Sequence, residues 1–237
     1  VRFFIHKNVA SLMIDTSGEG LHKRGYRRKS NDAPLKETLG AAMCDLARIY
    51  PDTLMFDPFC GSGTLLIEAA LKATNTAPGL RRFFSAERFG FIPENIWREE
   101  RMRAQDLIVH NIDFRAQGFD IDPNAVALTN ENAEKAGMKK YVKAAVGDVR
   151  DFTVPDERCL VITNPPYGER LLDVKAAEEL YTVMGQRFKE GCGRKYYIIS
   201  PHDEFERFFG READKRRKLY NGMIKCQLFM YFKNRER

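Results

Sequence analysis

From residue 54 onward, short apolar runs alternate with amphipathic stretches, and few architectures accommodate that rhythm. Residues 54–56 are a compact apolar run ending at Asp57. A glycine turn follows, then apolar positions at helical spacing over residues 64–73. Residues 117–121 form a second run. Asp122-Pro123 then supplies an N-cap with proline at the first helical position, and Gly137 ends the predicted helix. Further strands are predicted at 141–146, 159–163 and 196–200, with a helix over 174–189 between the last two. Strands alternating with helices imply βαβ units and a mostly parallel sheet. Residues 219–220 and 224–232 have no helix between them and read as an antiparallel hairpin through Asn221-Gly222.

Two segments depart from this rhythm. Residues 1–30 read as a strand, over 2–9, and a basic turn. They are expected to be a linker or the end of an upstream module, with the main domain over 31–237. Because the chain starts at Val1 within a strand-like run, it is expected to be a fragment. Residues 76–115 form an insertion that carries Arg81-Arg82-Phe83-Phe84, the lone Trp97 and a charged helix over 93–111.

Composition sets broad limits. The 237 residues, 43% of them hydrophobic, suffice for one large domain or a domain with a small appendage. A formal net charge of +6 and a pI near 9.0 fit a partner rich in phosphate, although excess charge also simply keeps proteins soluble. The five cysteines are scattered, form no CxxC pair and have only four histidines to join them. Neither a metal centre nor a disulfide framework is expected, and a reducing, cytoplasmic setting is the default. No apolar run approaches the roughly 20 residues of a membrane span, and no secretory signal is visible.

The chemistry concentrates where predicted strands end. Asp57-Pro58-Phe59-Cys60-Gly61-Ser62-Gly63-Thr64 follows the first core strand, and in open α/β sheets ligands bind outside those carboxyl ends. Gly61 and Gly63 let the backbone turn tightly beside a ligand, and the N–H groups opening the next helix favour an anionic group such as a carboxylate. A glycine turn alone is equally an ordinary strand-to-helix connection. The run matches neither GxGxxG nor GxxxxGK[ST], which argues against a dinucleotide or a nucleoside triphosphate. Asp120-Ile121-Asp122 ends the second strand, where a carboxylate can take both hydroxyls of a ribose. Asp120 is assigned that role; Asp122 is expected to cap its helix with a possible secondary contact. Gly147-Asp148 ends the third strand, and the Asp148 carboxylate can accept from an adenine amino group. Three acidic strand ends in order describe a site for an adenosyl amino acid.

Asn164-Pro165-Pro166-Tyr167-Gly168 follows the fourth strand. Two prolines remove two N–H donors and stiffen the turn. The Asn164 amide oxygen and the Pro165 carbonyl can each accept from one exocyclic NH₂, holding the nitrogen with its lone pair out of the base plane. Tyr167 supplies a flat face for the base. Transfer to that nitrogen then needs positioning and desolvation rather than a strong base. Pro-Pro-Tyr also occurs as a polyproline ligand in disordered tails, but here it lies between a strand and a helix. Lys23, Arg24, Arg27, Arg28 and Lys29 around Tyr26 form a basic-aromatic cluster suited to RNA, which Arg81-Arg82 and Lys215-Arg216-Arg217-Lys218 could extend. Such runs are also ordinary solvated surface.

In combination, DPFCGSGT and NPPYG resemble the class I Rossmann-like methyltransferases, and among them the amino-methyltransferases. Gly168-Glu169-Arg170, the run Leu21 to Arg27, and Ala33-Pro34-Leu35-Lys36-Glu37-Thr38-Leu39 resemble the RNA guanine-N2 methyltransferases that carry an N-terminal THUMP domain, the bacterial large-subunit rRNA enzymes above all. The likeness spans residues 11–237. It implies a seven-stranded mostly parallel sheet with a C-terminal antiparallel hairpin, S-adenosyl-L-methionine as cofactor, and a guanine N2 in rRNA as target. It also implies a THUMP-type module absent from this chain. Asn164, Pro165, Pro166 and Tyr167 would be catalytic; Asp57, Phe59, Gly61, Gly63, Thr64, Asp120, Asp122, Asp148 and Asn164 would hold the cofactor. Lys23, Arg24, Tyr26, Arg27 and Arg170 would meet RNA. A DNA adenine-N6 enzyme, a tRNA guanine-N2 enzyme and a non-catalytic nucleic-acid-binding module are the alternatives.

Overall fold

A computed structural model describes residues 1–27, 35–167 and 174–233. Its elements are β1 (Arg2–His6), β2 (Val9–Met13), α1 (Glu37–Ala47), β3 (Leu54–Asp57), α2 (Thr64–Ala73), α3 (Glu94–Asp106), β4 (Arg115–Asp120), α4 (Pro123–Lys135), β5 (Val142–Val146), β6 (Cys159–Thr163), α5 (Val174–Arg187), β7 (Arg194–Ser200), α6 (Phe205–Phe209), β8 (Lys215–Asn221) and β9 (Ile224–Tyr231). Seven strands form one sheet in the order β5-β4-β3-β6-β7-β9-β8. β3 pairs parallel with both β4 and β6, whereas β9 runs antiparallel between β7 and β8. The order reverses between β3 and β6, so the topological switch point lies at the carboxyl ends of those two strands.

Side chains alternate across the pleat, and both faces are covered. Met55, Leu160, Ile162, Tyr197 and Ile199 join one buried cluster with Met43 and Cys44 of α1 and Leu66 and Ala70 of α2. Their neighbours Phe56, Val161, Tyr196 and Ile198 join a second cluster with Leu180, Tyr181 and Met184 of α5 and Phe205 of α6. Continuous apolar runs such as Cys159–Thr163, buried throughout, are what a central parallel strand requires.

Several expectations change. The run predicted as one strand over 2–9 is a hairpin, because Lys7 and Asn8 both take positive φ (47° and 61°), the backbone of a two-residue turn. Within the segment expected as a linker over 1–30, residues 17–26 pack on the folded body. Arg82 donates to the carbonyls of Ser17, Gly20 and Lys23, and Tyr26 lies in the first core cluster. The C-terminal hairpin turns at Gly222-Met223 rather than at Asn221-Gly222, since Asn221 pairs with Ile224. Gly222 at φ 65° opens the turn, as type II′ geometry favours. In the insertion, α3 buries no residue; it is held by Arg101 on Glu87 (3.0 and 2.7 Å) and by Trp97 stacked on Phe84. Among the described residues no helix is long and apolar enough to cross a membrane.

Candidate active site at the carboxyl edge of the sheet

The loop between β3 and α2 is shaped from three sides. Gly61 and Gly63 take φ of 53° and 81°, which side-chain-bearing residues rarely adopt. They differ in surroundings. A Cβ on Gly63 would lie 2.8 Å from the Thr129 methyl, whereas one on Gly61 would meet nothing within 4 Å. Gly63 is therefore needed for packing, and Gly61 borders open space. From α4, Thr129 Oγ1 donates to the Gly61 carbonyl (2.8 Å) and Asn132 Nδ2 to the Ser62 carbonyl (3.0 Å). Both side chains are fully buried. Sequence reasoning missed this pair, although two polar residues at i, i+3 on the inward face of an amphipathic helix were a visible signal.

Asp57 sits beneath the loop and is only 1% exposed, so it braces the site instead of facing a ligand. Its Oδ1 accepts from the Phe59 N–H (3.1 Å) and from the Thr163 hydroxyl (2.7 Å), tying the end of β3 to the residue before Asn164. Burial pushes its carboxyl up to about 7. Thr64 is also turned inward. Its hydroxyl accepts from Arg27 (3.1 Å), leaving only its backbone near the pocket. Phe59 is half-buried against the second core cluster.

Asp120 ends β4, next to the switch point, with both oxygens oriented. Oδ2 accepts from the Gly61 N–H and Oδ1 from the Asp122 N–H, each at 3.0 Å. A carboxylate oxygen has two lone-pair sites, so acceptor capacity for a diol remains. Asp122 caps α4 through the Asn124 N–H (2.9 Å). Asp148 accepts from the Arg150 N–H and pairs with its guanidinium (2.8 and 2.9 Å), and the backbone bond foremost holds its carboxyl below the usual range. Between the two aspartates at the β4 end, Ile121 is 71% exposed. An outward apolar residue flanked by acids offers a face to a planar ring, a role the sequence reading had not given it.

The Asn164–Tyr167 turn follows β6 on the other side of the switch point. Asn164 and Tyr167 are partly buried and Pro165 is fully buried. The Tyr167 hydroxyl donates to Asn164 Oδ1, and Asn221 Nδ2 at the end of β8 approaches the same hydroxyl at 3.5 Å. Burial pushes the phenol well above its ordinary range. Tyr167 thus leans on the amide oxygen that was expected to stand open to a base amine. From α5, Tyr181 donates to the Pro166 carbonyl (3.2 Å).

Of the basic-aromatic cluster expected to grip RNA, Arg24, Tyr26 and Arg27 are committed inside the protein. Arg24 pairs with Glu68 (3.3 Å) and Tyr26, 3% exposed, donates its hydroxyl to the same glutamate (3.1 Å). Arg27 binds Glu37 (2.8 Å), Thr64 and the Leu35 carbonyl. A tyrosine this buried cannot stack on a base, and these two arginines are largely withdrawn from solvent. Among the described cations of this group Lys23 alone is exposed, beside Glu19. Arg28, Lys29 and Arg170 lie outside the described residues. Arg82 is likewise buried, whereas the start of β8 from Lys215 to Lys218 is exposed.

A doubly covered sheet with a glycine loop and acidic strand ends at its switch point defines a class I methyltransferase fold. The sequence matches the family described as RMKL-like, methyltransferase domain, over residues 24–229, and the chain belongs to that family. It is 40% identical to YpsC of Bacillus subtilis (strain 168), named provisionally as an RNA methyltransferase, over 98% of this chain and 60% of that protein. It is 41% identical to the ribosomal RNA large subunit methyltransferase K/L of Shewanella baltica (strain OS185), over 94% of this chain and 32% of that one. The crystal structure of SMU.472, a complex with SAH, superposes with a TM-score of 0.92 at 39% identity, over 99% of this chain and 62% of that one. The chain therefore spans less than two thirds of these relatives' lengths.

Proposed function

We propose that this chain transfers the methyl group of S-adenosyl-L-methionine to an exocyclic amino group of a base in RNA, with guanine N2 of ribosomal RNA as the target. The observation that carries the reading is a juxtaposition. Asn164 leaves β6 beside the loop where Gly61 faces open space and Asp120 is held by the Gly61 N–H. Asp120 would take the ribose hydroxyls, Asp148 the adenine amino group, Ile121 and Phe59 the faces of the adenine ring. The start of α2 would take the carboxylate. The cofactor supplies an electrophilic methyl group. The protein's part is to hold the base nitrogen on Asn164 Oδ1 and the Pro165 carbonyl, in line with that methyl and out of water. The RNA relatives support the choice of polymer, and the basic start of β8 offers a path for phosphate.

The test is incubation of the protein with methyl-labelled cofactor and ribosomal RNA, followed by mass spectrometry of the nucleosides. N2-methylguanosine is expected. N6-methyladenosine would replace the guanine reading, and label in duplex DNA alone would replace RNA. Absence of calorimetric heat with the cofactor at high protein concentration would remove the enzyme reading altogether.

A further inference from the structure

Two consecutive prolines remove two N–H groups from the catalytic turn, so the backbone of Pro165 and Pro166 can be anchored only through carbonyls. One anchor comes from the opposite side of the sheet. Tyr181, on the inward face of α5, is 0% exposed, and its hydroxyl donates to the Pro166 carbonyl at 3.2 Å. The same hydroxyl accepts from Ser200 Oγ (3.2 Å), which is also 0% exposed and takes the His202 N–H at 3.1 Å. The ring is boxed edge-on by Phe205 (4.9 Å) and His202 (5.8 Å), and His202 is held by Glu178 one turn before Tyr181 (3.3 Å). Ring and hydroxyl are thus fixed from three elements: α5, the end of β7 and α6.

We propose that Tyr181 is a positioning residue for methyl transfer, clamping the Pro166 carbonyl so that Asn164 and Pro165 keep their acceptors aimed at one nitrogen. The inference rests on the function proposed above and adds a residue to it. Its bland rival is that a buried tyrosine hydroxyl must bond something, and Pro166 is what lies nearest. The two separate on kinetics. A clamp on the reacting geometry acts on the transfer step, because displacement by about an ångström can cost on the order of a hundredfold. A mere core residue acts on stability.

The experiment compares the parent protein, Tyr181→Phe and Ser200→Ala under single-turnover conditions, with cofactor affinity by calorimetry and the melting temperature of each. Tyr181→Phe keeps the boxed ring and is expected to lose about 10- to 100-fold in transfer rate, with cofactor affinity and RNA KM within about threefold of the parent. Ser200→Ala leaves the hydroxyl its Pro166 acceptor and is expected to transfer within about threefold of the parent. A Tyr181→Phe protein that transfers at the parent rate overturns the clamp, whatever its melting temperature. Equal losses in both variants, tracking their melting temperatures, also overturn it in favour of a structural role. If the parent itself moves no methyl group to any RNA, the functional reading falls and takes this proposal with it, an outcome visible before any variant is made.

Discussion

Asn164 Oδ1 accepts the Tyr167 hydroxyl, and in the proposed reaction a base amine would have to reach that same oxygen. Arrival of the base would therefore exchange one donor for another, and Tyr167 would be both its stacking face and its competitor. Tyr167→Phe removes the competing hydroxyl and keeps the ring, so transfer should stay within about threefold of the parent; Tyr167→Ala should lose on the order of 10- to 100-fold, the size of one stacked base. Asn164→Ala should lose at least about a thousandfold in rate while cofactor affinity moves little. Steady-state kinetics beside calorimetry separates these cases, and an active Asn164→Ala protein would put the chemistry elsewhere. Asp57 adds a pH signature. Its carboxyl, raised from 3.8 to about 7 by burial, binds its proton more tightly folded than unfolded. The contribution to stability is fully present below about pH 4 and is lost as pH rises through 7. Because both bonds use Oδ1, Asp57→Asn keeps them. It should be more stable than the parent at pH 8 by about 1–3 kcal/mol and nearly equal at pH 4, as read by urea unfolding. A cationic cofactor entering beside the ionised form should likewise bind the parent more tightly as pH rises from 6 to 8, a trend absent in Asp57→Asn.

At the scale of elements, the segment from Asp15 to Arg27 is the part whose meaning changed most between sequence and structure. A run of arginines around a tyrosine has the same composition whether it faces RNA or a buried glutamate, and only tertiary contacts distinguish the two. Its partners, Glu37 and Glu68, lie on α1 and α2, and no local pattern announces them. Arg27→Ala should cost about 3–5 kcal/mol of stability, since it leaves Glu37 buried without its cation and takes a donor from the Leu35 carbonyl and the Thr64 hydroxyl. Arg27→Lys should recover only part of that, one ammonium being unable to span the three. Denaturant unfolding of both variants checks this, and a loss below about 1 kcal/mol for Arg27→Ala would return the arginine to the surface. Strands β3 to β7 and helices α2, α4 and α5 were legible because their periodicity is set by burial on one or two faces. The short α6 was not, since five residues carry too little period. The strand ends that carry Asp120, Asp148 and Asn164 were legible for the same reason the strands were. Thr163 and Tyr181 were not, because each bonds a partner elsewhere in the sequence, and Ile121 was not, because a lone apolar residue between two acids carries no period.

At the scale of the whole molecule, where the formal +6 can meet a polyanion matters more than its size. Arg24, Arg27 and Arg82 are inside, and Arg101 is bound to Glu87. Among the described residues, a run of exposed cations lies on one strand. On β8 Lys215, Arg217 and Lys218 are exposed, while Arg216 is drawn onto Glu206 and the Phe229 ring. The strand then runs to Asn221, whose amide approaches Tyr167, with Tyr220 and Met223 exposed at the turn. A single strand of RNA laid along β8 would bring phosphates to the cations and a base to the catalytic turn. Affinity should therefore depend on salt through β8 rather than through the N-terminal run. Charge reversal of Arg217 and Lys218 together should weaken RNA binding about tenfold or more at low salt and reduce the slope of log affinity against log salt by about 1–2. Lys23→Glu should change that slope by less than half as much. Neither change touches the Gly61–Asp120 pocket, so cofactor affinity should be unaltered in both. Fluorescence anisotropy of a labelled RNA fragment across a salt series reads all of this directly. A slope altered by Lys23→Glu but not by the β8 pair would move the RNA path to the insertion and the N-terminal segment, on the other side of the catalytic edge.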